Sequence, residues 1–238
     1  GKWHLGEEEG QWPNHHGFER SFSFIHGAAS FFDNLPYRND EWPWSDGKVF
    51  TTLDGEIYDY PEGTYSTDLY TDYALDFIRE AQEQERPFFL YLAYTAPHWP
   101  LHALPEDIAK YDGQYDGGWD LLREERYRRQ QEMGLFPVEY PLSERDETAE
   151  AWSRLSPEEQ QEFADEMEVY AAMIDRMDQN IGRVVKHLES TGALDNTLIV
   201  FLSDNGGCRA GWIPYLHERF DPDAPVGSPK SFTGYGPG

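Results

Sequence analysis

Apolar residues follow two rhythms along this chain. In STDLYTDYALDFIREAQEQE (66–85), Leu69, Tyr73, Phe77 and Ala81 recur every four residues, the spacing that lines up side chains on one face of a helix. Ser66 or Thr67 is the expected cap, and Asp68 and Asp72 place negative charge in the early turns, where the helix dipole favours it. A longer stripe runs through Phe163, Met167, Tyr170, Ile174, Met177, Ile181, Val184 and Leu188. It begins behind SPEEQ, where Ser156 can cap, Pro157 suits the first helical position and Glu159 can close a capping box. Gly192 stops the stripe and a strand pattern follows, which favours a helix packed on a sheet over a coiled coil.

The second rhythm is continuous. Phe88 to Tyr94 in RPFFLYLAYTAPH and Leu198 to Leu202 in NTLIVFLSDNGG are apolar without a break, as in strands buried on both faces of a parallel sheet. KVFTTLDGEIYDY (48–60) has Asp-Gly between β-branched residues, a hairpin signal. Elsewhere, residues 1–65 read as loops with short strands, 105–134 as polar and partly helical, and 136–150 as a loop holding Pro137 and Pro141. The tail from Pro222 to Gly238 is rich in Pro, Gly and Ser, with no element to close on. The order helix, strand, loop, helix, strand predicts an α/β fold with a mostly parallel sheet flanked by helices.

Composition narrows the function classes. Of 238 residues, 39% are hydrophobic and 16% aromatic, enough for a substantial core. No apolar run approaches the roughly 18 residues that a membrane-spanning helix needs. The formal net charge of -26 argues against nucleic acid or an anionic membrane as partner, because both are bound through clustered Lys and Arg. Only five of the 19 basic residues are Lys. A Lys-poor, acid-rich surface is compatible with a salt-rich habitat, where screening relieves self-repulsion, and with an ordinary acidic soluble protein. The single cysteine, Cys208, allows no intrachain disulfide and reads as structural.

In open α/β sheets, ligands bind at the carboxyl ends of strands, and both apolar runs end in polar clusters. SDNGG sets the side-chain oxygens of Asp204 and Asn205 side by side, the donors that a hard cation such as Ca²⁺ or Mg²⁺ takes; a strand-ending turn would look the same. His98, between Pro97 and Pro100, is either a general acid or base or a histidine satisfied by a local hydrogen bond. His102 reads as surface or as support for its neighbours. Lys2 and His4 lie two positions apart and would point the same way in extended backbone, as a cation and an imidazole facing an anionic substrate or as a chance pair. His15, His16, His26, His187 and His217 show no usable partner spacing. Trp12, Trp42, Trp44, Trp99 and Trp119 could line a sugar or aryl pocket or pack the loops.

In their order, GKWHLG, HHGFERSFSFIHGAASFF, PFFLYLAYTAPHWPLHALPEDIAKYDGQYDGGWDLLREER and YAAMIDRMDQNIGRVVKHLESTGALDNTLIVFLSDNGG resemble the formylglycine-dependent sulfatases of the alkaline phosphatase superfamily. The likeness covers most of residues 1–210. It implies an enzyme that hydrolyses aryl or carbohydrate sulfate esters. Lys2 would hold the sulfate. His4 would sit beside the formylglycine and help break down its sulfated hemiacetal. His98 would contact the ester and protonate the leaving oxygen. Asp204 and Asn205 would be two ligands of Ca²⁺, in preference to Mg²⁺.

The family's C-x-P-x-R or S-x-P-x-R nucleophile pattern does not occur in the chain, nor do its paired N-terminal acidic metal ligands. Lys230, in GSPKSFTGYGPG, lacks the context of the family's later sulfate-site Lys. Residues 1–238 are therefore expected to be an internal piece of the catalytic domain, incomplete at both ends, with the formylglycine in a preceding segment and the piece inactive alone. The resemblance also implies a periplasmic or secreted location. The nearest alternatives are a phosphonate monoester or phosphodiester hydrolase of the same superfamily, and a non-catalytic binder of sulfated glycans.

Overall fold

The computed structural model describes residues 1–33, 51–61, 63–137, 140–146, 148–206 and 220–233. Three short strands, β1 (Phe22–Phe24), β2 (Thr51–Leu53) and β3 (Glu56–Tyr58), pair antiparallel in that order. Asp54 and Gly55 make the expected β2–β3 turn with φ of 52° and 90°, the left-handed pair that a tight hairpin of this hand needs. Positions 48–50 of that hairpin lie outside the described residues.

The GKWH backbone runs parallel to β1. Phe24 N–H donates to Gly1 O at 3.0 Å, Trp3 N–H to Phe24 O at 2.7 Å and His4 N–H to Ile25 O at 3.1 Å. On its other edge, Lys2 N–H donates to Ala93 O at 2.7 Å. The 88–94 run therefore lies beside the opening segment, as a sheet neighbour would.

The burial of the two apolar runs differs from expectation. Leu92 and Tyr94 pack with Phe22, Phe24 and Tyr70, but Phe89 and Tyr91 are 80% and 53% exposed. Leu198–Leu202 is exposed throughout, from 48% to 89%. Burial on both faces requires covering helices, and a ladder requires a partner strand. Among the described residues, 198–202 has neither and the 88–94 run is covered on one face.

The helices follow their local signals closely at one start and loosely at the other. α1 (Ser66–Glu83) is capped by the backbone of Tyr65, with φ -120° and ψ 121° and no side-chain cap bond. Ser66 and Thr67 are already helical and buried, so neither hydroxyl sits where a cap must be. α1 uses two flanks: Tyr70, Ala74, Leu75, Ile78 and Ala81 are buried, and Leu69, Tyr73 and Phe77 pack half-buried toward the strands, with Tyr73 stacked on Phe22 at 4.1 Å.

α2 (Pro105–Ile108) and the polar α3 (Gly118–Glu132) precede α4 (Pro157–Ser190). The capping box at Ser156 forms as read: Glu159 N–H donates to Ser156 Oγ at 3.2 Å, and Ser156 N–H to Glu159 Oε2 at 2.8 Å. α4 packs on α1 and α2, a helix-on-helix contact in place of the expected helix-on-sheet one. Its buried face centres on Ala164, Val169, Ala172, Met173 and Leu188, while Ile174 of the predicted stripe is 38% exposed. The alanines let neighbouring helices approach closely, so the helix turns that face inward. No described helix is long and apolar enough to cross a membrane.

Two further expectations change. The described part of the tail does find something to close on. Leu101 N–H donates to Thr233 O at 2.9 Å, and Ala103 N–H to Gly227 O at 3.1 Å. His102, read as surface or supporting, is fully buried at this junction. Its Nδ1 accepts from Phe31 N–H at 3.3 Å, so Nε2 carries the proton and donates to Ser231 O at 2.8 Å. Local sequence carried no hint of this because the partners are 71 and 129 positions away.

Candidate active site

Four of the five candidate residues face a common electrostatic neighbourhood, although they come from three distant segments. Asp204 raises the pKa of Lys2 and of His98, while Lys2 lowers that of His4 and of His98, and His4 lowers that of His98. The bonds of residues 1–4 to β1 and to Ala93 hold the first two of these segments together.

Lys2 is half-buried. Burial pushes its ammonium below the usual lysine range, and Asp204 pulls it part of the way back. His4 adopts φ 51°, a left-handed conformation that costs a side-chain-bearing residue about 1–2 kcal/mol. Its imidazole lies against Gly27, where an added Cβ would stand 2.9 Å from His4 Cε1; only glycine leaves room for the ring. Burial and then the Lys2 charge lower the His4 pKa, Glu7 raises it and His26 lowers it.

His98 ends the second segment. Its backbone N–H donates to Thr95 O at 2.9 Å, and its Nδ1 lies 2.6 Å from the Trp99 carbonyl oxygen. A carbonyl only accepts, so Nδ1 carries the proton and Nε2 is the edge available for acid–base work. The two readings of His98 thus coexist: a local hydrogen bond fixes the tautomer that leaves one nitrogen to act. Burial lowers the His98 pKa first, the Trp99 carbonyl opposes this, and Lys2 and His4 lower it further. An incoming anion would reverse part of that depression by favouring the imidazolium.

Asp204 and Asn205 are exposed. Asn205 Nδ2 donates to Gly206 O at 2.7 Å, which leaves its Oδ1 free to accept, and Asp204 has no hydrogen-bond or ion-pair partner among the described residues. Two such oxygens suit a hard cation, yet Ca²⁺ takes about 6–8, and the described residues contain no group of three or more His, Cys, Asp or Glu able to hold a metal ion. The pair fits as part of a metal shell.

Other candidates fall elsewhere. Cys208, His217, Trp42 and Trp44 lie outside the described residues. Trp119 packs on Trp152 and Phe163, and Trp99 is buried. Lys230 is exposed. A groove of about 220 Å³ opens between β1, α1 and residues 86–92, lined by Phe18, Phe22, Tyr73, Phe77 and Phe89. Of the candidate residues only Lys2 borders it. Sequence reasoning missed Glu7, His26 and Gly27, which contact or influence His4; no spacing pattern links them.

A cation, two imidazoles and a carboxylate that influence one another suit an anionic ligand. The sulfatase family profile matches residues 1–222, and the chain belongs to that family, whose members use a metal and a formylglycine. It is 38% identical over its whole length to an arylsulfatase of Klebsiella aerogenes, covering 51% of that protein. It is 36% identical over its whole length to an uncharacterised sulfatase of Schizosaccharomyces pombe, covering 45% of it. An N-acetylglucosamine-6-O-sulfatase of Bacteroides thetaiotaomicron is 28% identical over 87% of the chain and 41% of its own length. The chain thus spans about half the length of these relatives. Its fold matches the crystal structure of Ps i-CgsB in complex with k-i-k-neocarrahexaose, with a TM-score of 0.51 and 24% identity over 82% of this chain and 34% of that one.

Proposed function

We propose that the intact protein is a sulfuric ester hydrolase, with residues 1–238 forming part of its catalytic domain and Lys2, His4, His98, Asp204 and Asn205 lining its site. The observation that supports this most is the mutual electrostatic influence of Lys2, His4, His98 and Asp204, three segments apart, in a member of the sulfatase family. Lys2 supplies a poorly hydrated cation for the non-bridging sulfate oxygens, where charge is held during S–O cleavage. His98 presents Nε2 to the bridging oxygen and delivers a proton as the alcohol leaves. His4 would sit beside the formylglycine when that group is present and would exchange a proton there. The Trp99 carbonyl keeps His98 in the required tautomer.

Asp204 and Asn205 would hold part of the shell of a Ca²⁺. When bound, a metal and a formylglycine supply Lewis-acid charge stabilisation and the attacking oxygen. Substrates are small aryl or glycan sulfate esters, and a periplasmic or secreted location accompanies the family.

The test is turnover of nitrophenyl sulfate against nitrophenyl phosphate by the intact protein, together with its calcium content. Sulfate ester cleavage that falls at least about 100-fold in Lys2→Ala and in His98→Ala is expected, with calcium lost in Asp204→Ala. Preference for the phosphate ester would overturn the reading, and unchanged calcium in Asp204→Ala would remove that residue from the metal site.

A further inference from the structure

We propose that the Glu7–His26 pair, together with the Ile25–Gly27 backbone that carries it, forms a positioning unit beside the His4 imidazole. Three observations converge on it. Glu7 Oε1 lies 3.1 Å from His26 Nδ1, so the carboxylate accepts the Nδ1 proton and fixes that ring, which is only 8% exposed. His26 follows Ile25, whose carbonyl oxygen accepts the His4 backbone N–H at 3.1 Å. The next residue, Gly27, leaves the space that the His4 ring occupies. The Ile25–Gly27 segment therefore anchors the His4 backbone, seats its ring and carries a second imidazole that is tied to a carboxylate.

The charges act in opposite directions. A carboxylate stabilises an imidazolium, and a second imidazolium opposes it; Glu7 raises the His4 pKa and His26 lowers it. Lys2, from its own segment, also lowers the His4 pKa, and His4 in turn lowers that of His98. Among the described residues that act on His4, Glu7 favours the imidazolium while Lys2 and His26 oppose it. Glu7 and His26 touch neither substrate nor the reacting atoms in the proposed reaction, so their part is to position and tune His4. The consequence for catalysis rests on the sulfatase reading; the effect on the titration of His4 does not.

The experiment is a histidine Cε1 NMR titration of the intact protein, with the His4 resonance identified by its loss in His4→Gln. Glu7→Gln removes the carboxylate from a half-exposed position, and the His4 midpoint is expected to move down. His26→Asn keeps an amide donor where Nδ1 stands while removing the imidazole, and the His4 midpoint is expected to move up. Opposite shifts cannot come from general loosening of the structure. Midpoints that stay put, or that move in the same direction in both variants, overturn the pair. The pH dependence of kcat/KM on nitrophenyl sulfate is followed in parallel. Opposite NMR shifts without turnover leave the pair standing and defeat the sulfatase reading; turnover with unmoved midpoints does the reverse.

Discussion

Arg176 on α4 grips Asp68 on α1 through two hydrogen bonds, Nε to Oδ1 at 2.7 Å and Nη2 to Oδ2 at 2.5 Å. Buried Asn180 adds a third to Oδ1 at 2.7 Å. A fork-to-fork pair of this kind gives direction as well as energy, and it fixes the axial register of two helices whose apolar faces alone would allow sliding. Asp68→Ala is expected to lower unfolding free energy by about 2 kcal/mol, the scale for hydrogen bonds to a charged group, discounted for the roughly one-quarter exposure of both side chains. Urea denaturation measures it, and Asp68→Asn, which keeps part of the bonding, should fall between.

Glu166 works against the fold at neutral pH. Its Oε2 is buried without a hydrogen-bond partner among the described residues, and burial, followed by the neighbouring Glu162, pushes its pKa up to about 7. A carboxyl whose folded pKa is raised favours folding while protonated, and that advantage is lost as pH climbs from the unfolded value near 4.5 through about 7. Glu166→Gln should therefore leave stability near pH 4 unchanged and raise it at pH 8 by about 1 kcal/mol, after allowance for solvent screening. Paired urea titrations at the two pH values check the sign.

His102 is a buried joint between the loop after β1, the 99–103 loop and the tail. His102→Ala would strand the Phe31 N–H and the Ser231 carbonyl and leave a cavity between Phe31, Phe32 and Phe220, whose rings lie 5.6–6.4 Å from the imidazole. A loss of about 3 kcal/mol is expected, with faster proteolysis near Phe220 as an independent reading.

The contrast between these positions says what a sequence can disclose. The capping box at Ser156 and the Asp-Gly turn are decided by three or four neighbouring residues and were legible. Lys2, His4, His98 and Asp204 stood out in the sequence as chemically suited side chains, and the structure brings them within mutual electrostatic reach. Which face of α4 is buried was not legible, because Ala164 and Ala172 gain their value only from helices that approach them. The Arg176–Asp68 pair spans 108 positions, and the Glu7, His26 and Gly27 surroundings of His4 depend on the parallel pairing of residues 1–4 with β1. The apolar runs announced strands, but burial belongs to neighbours, and the exposed Leu198–Leu202 shows that apolarity alone does not supply them.

Lys2 gives a prediction tied to the proposed reaction. Because its ammonium is held below the usual lysine range, inorganic sulfate binding should weaken on the alkaline side earlier than an exposed lysine would allow. Lys2→Arg keeps a charge that does not titrate there and should flatten that alkaline limb, while Lys2→Ala should abolish binding. Calorimetric titration from pH 7 to pH 10 distinguishes the three.

The exposure of Leu198–Leu202 among the described residues also predicts how residues 1–238 by themselves behave in solution. Five β-prone, uncharged residues in a row are the type of segment that templates intermolecular sheets, and the charge of -26 is the long-range force that keeps neighbouring molecules from reaching it. Salt shortens the reach of that repulsion, to about 10 Å at 0.1 M, while leaving the greasy contact intact. Dilute buffer should keep the chain dispersed and added sodium chloride should drive it to associate, an outcome that light scattering across a salt series would record.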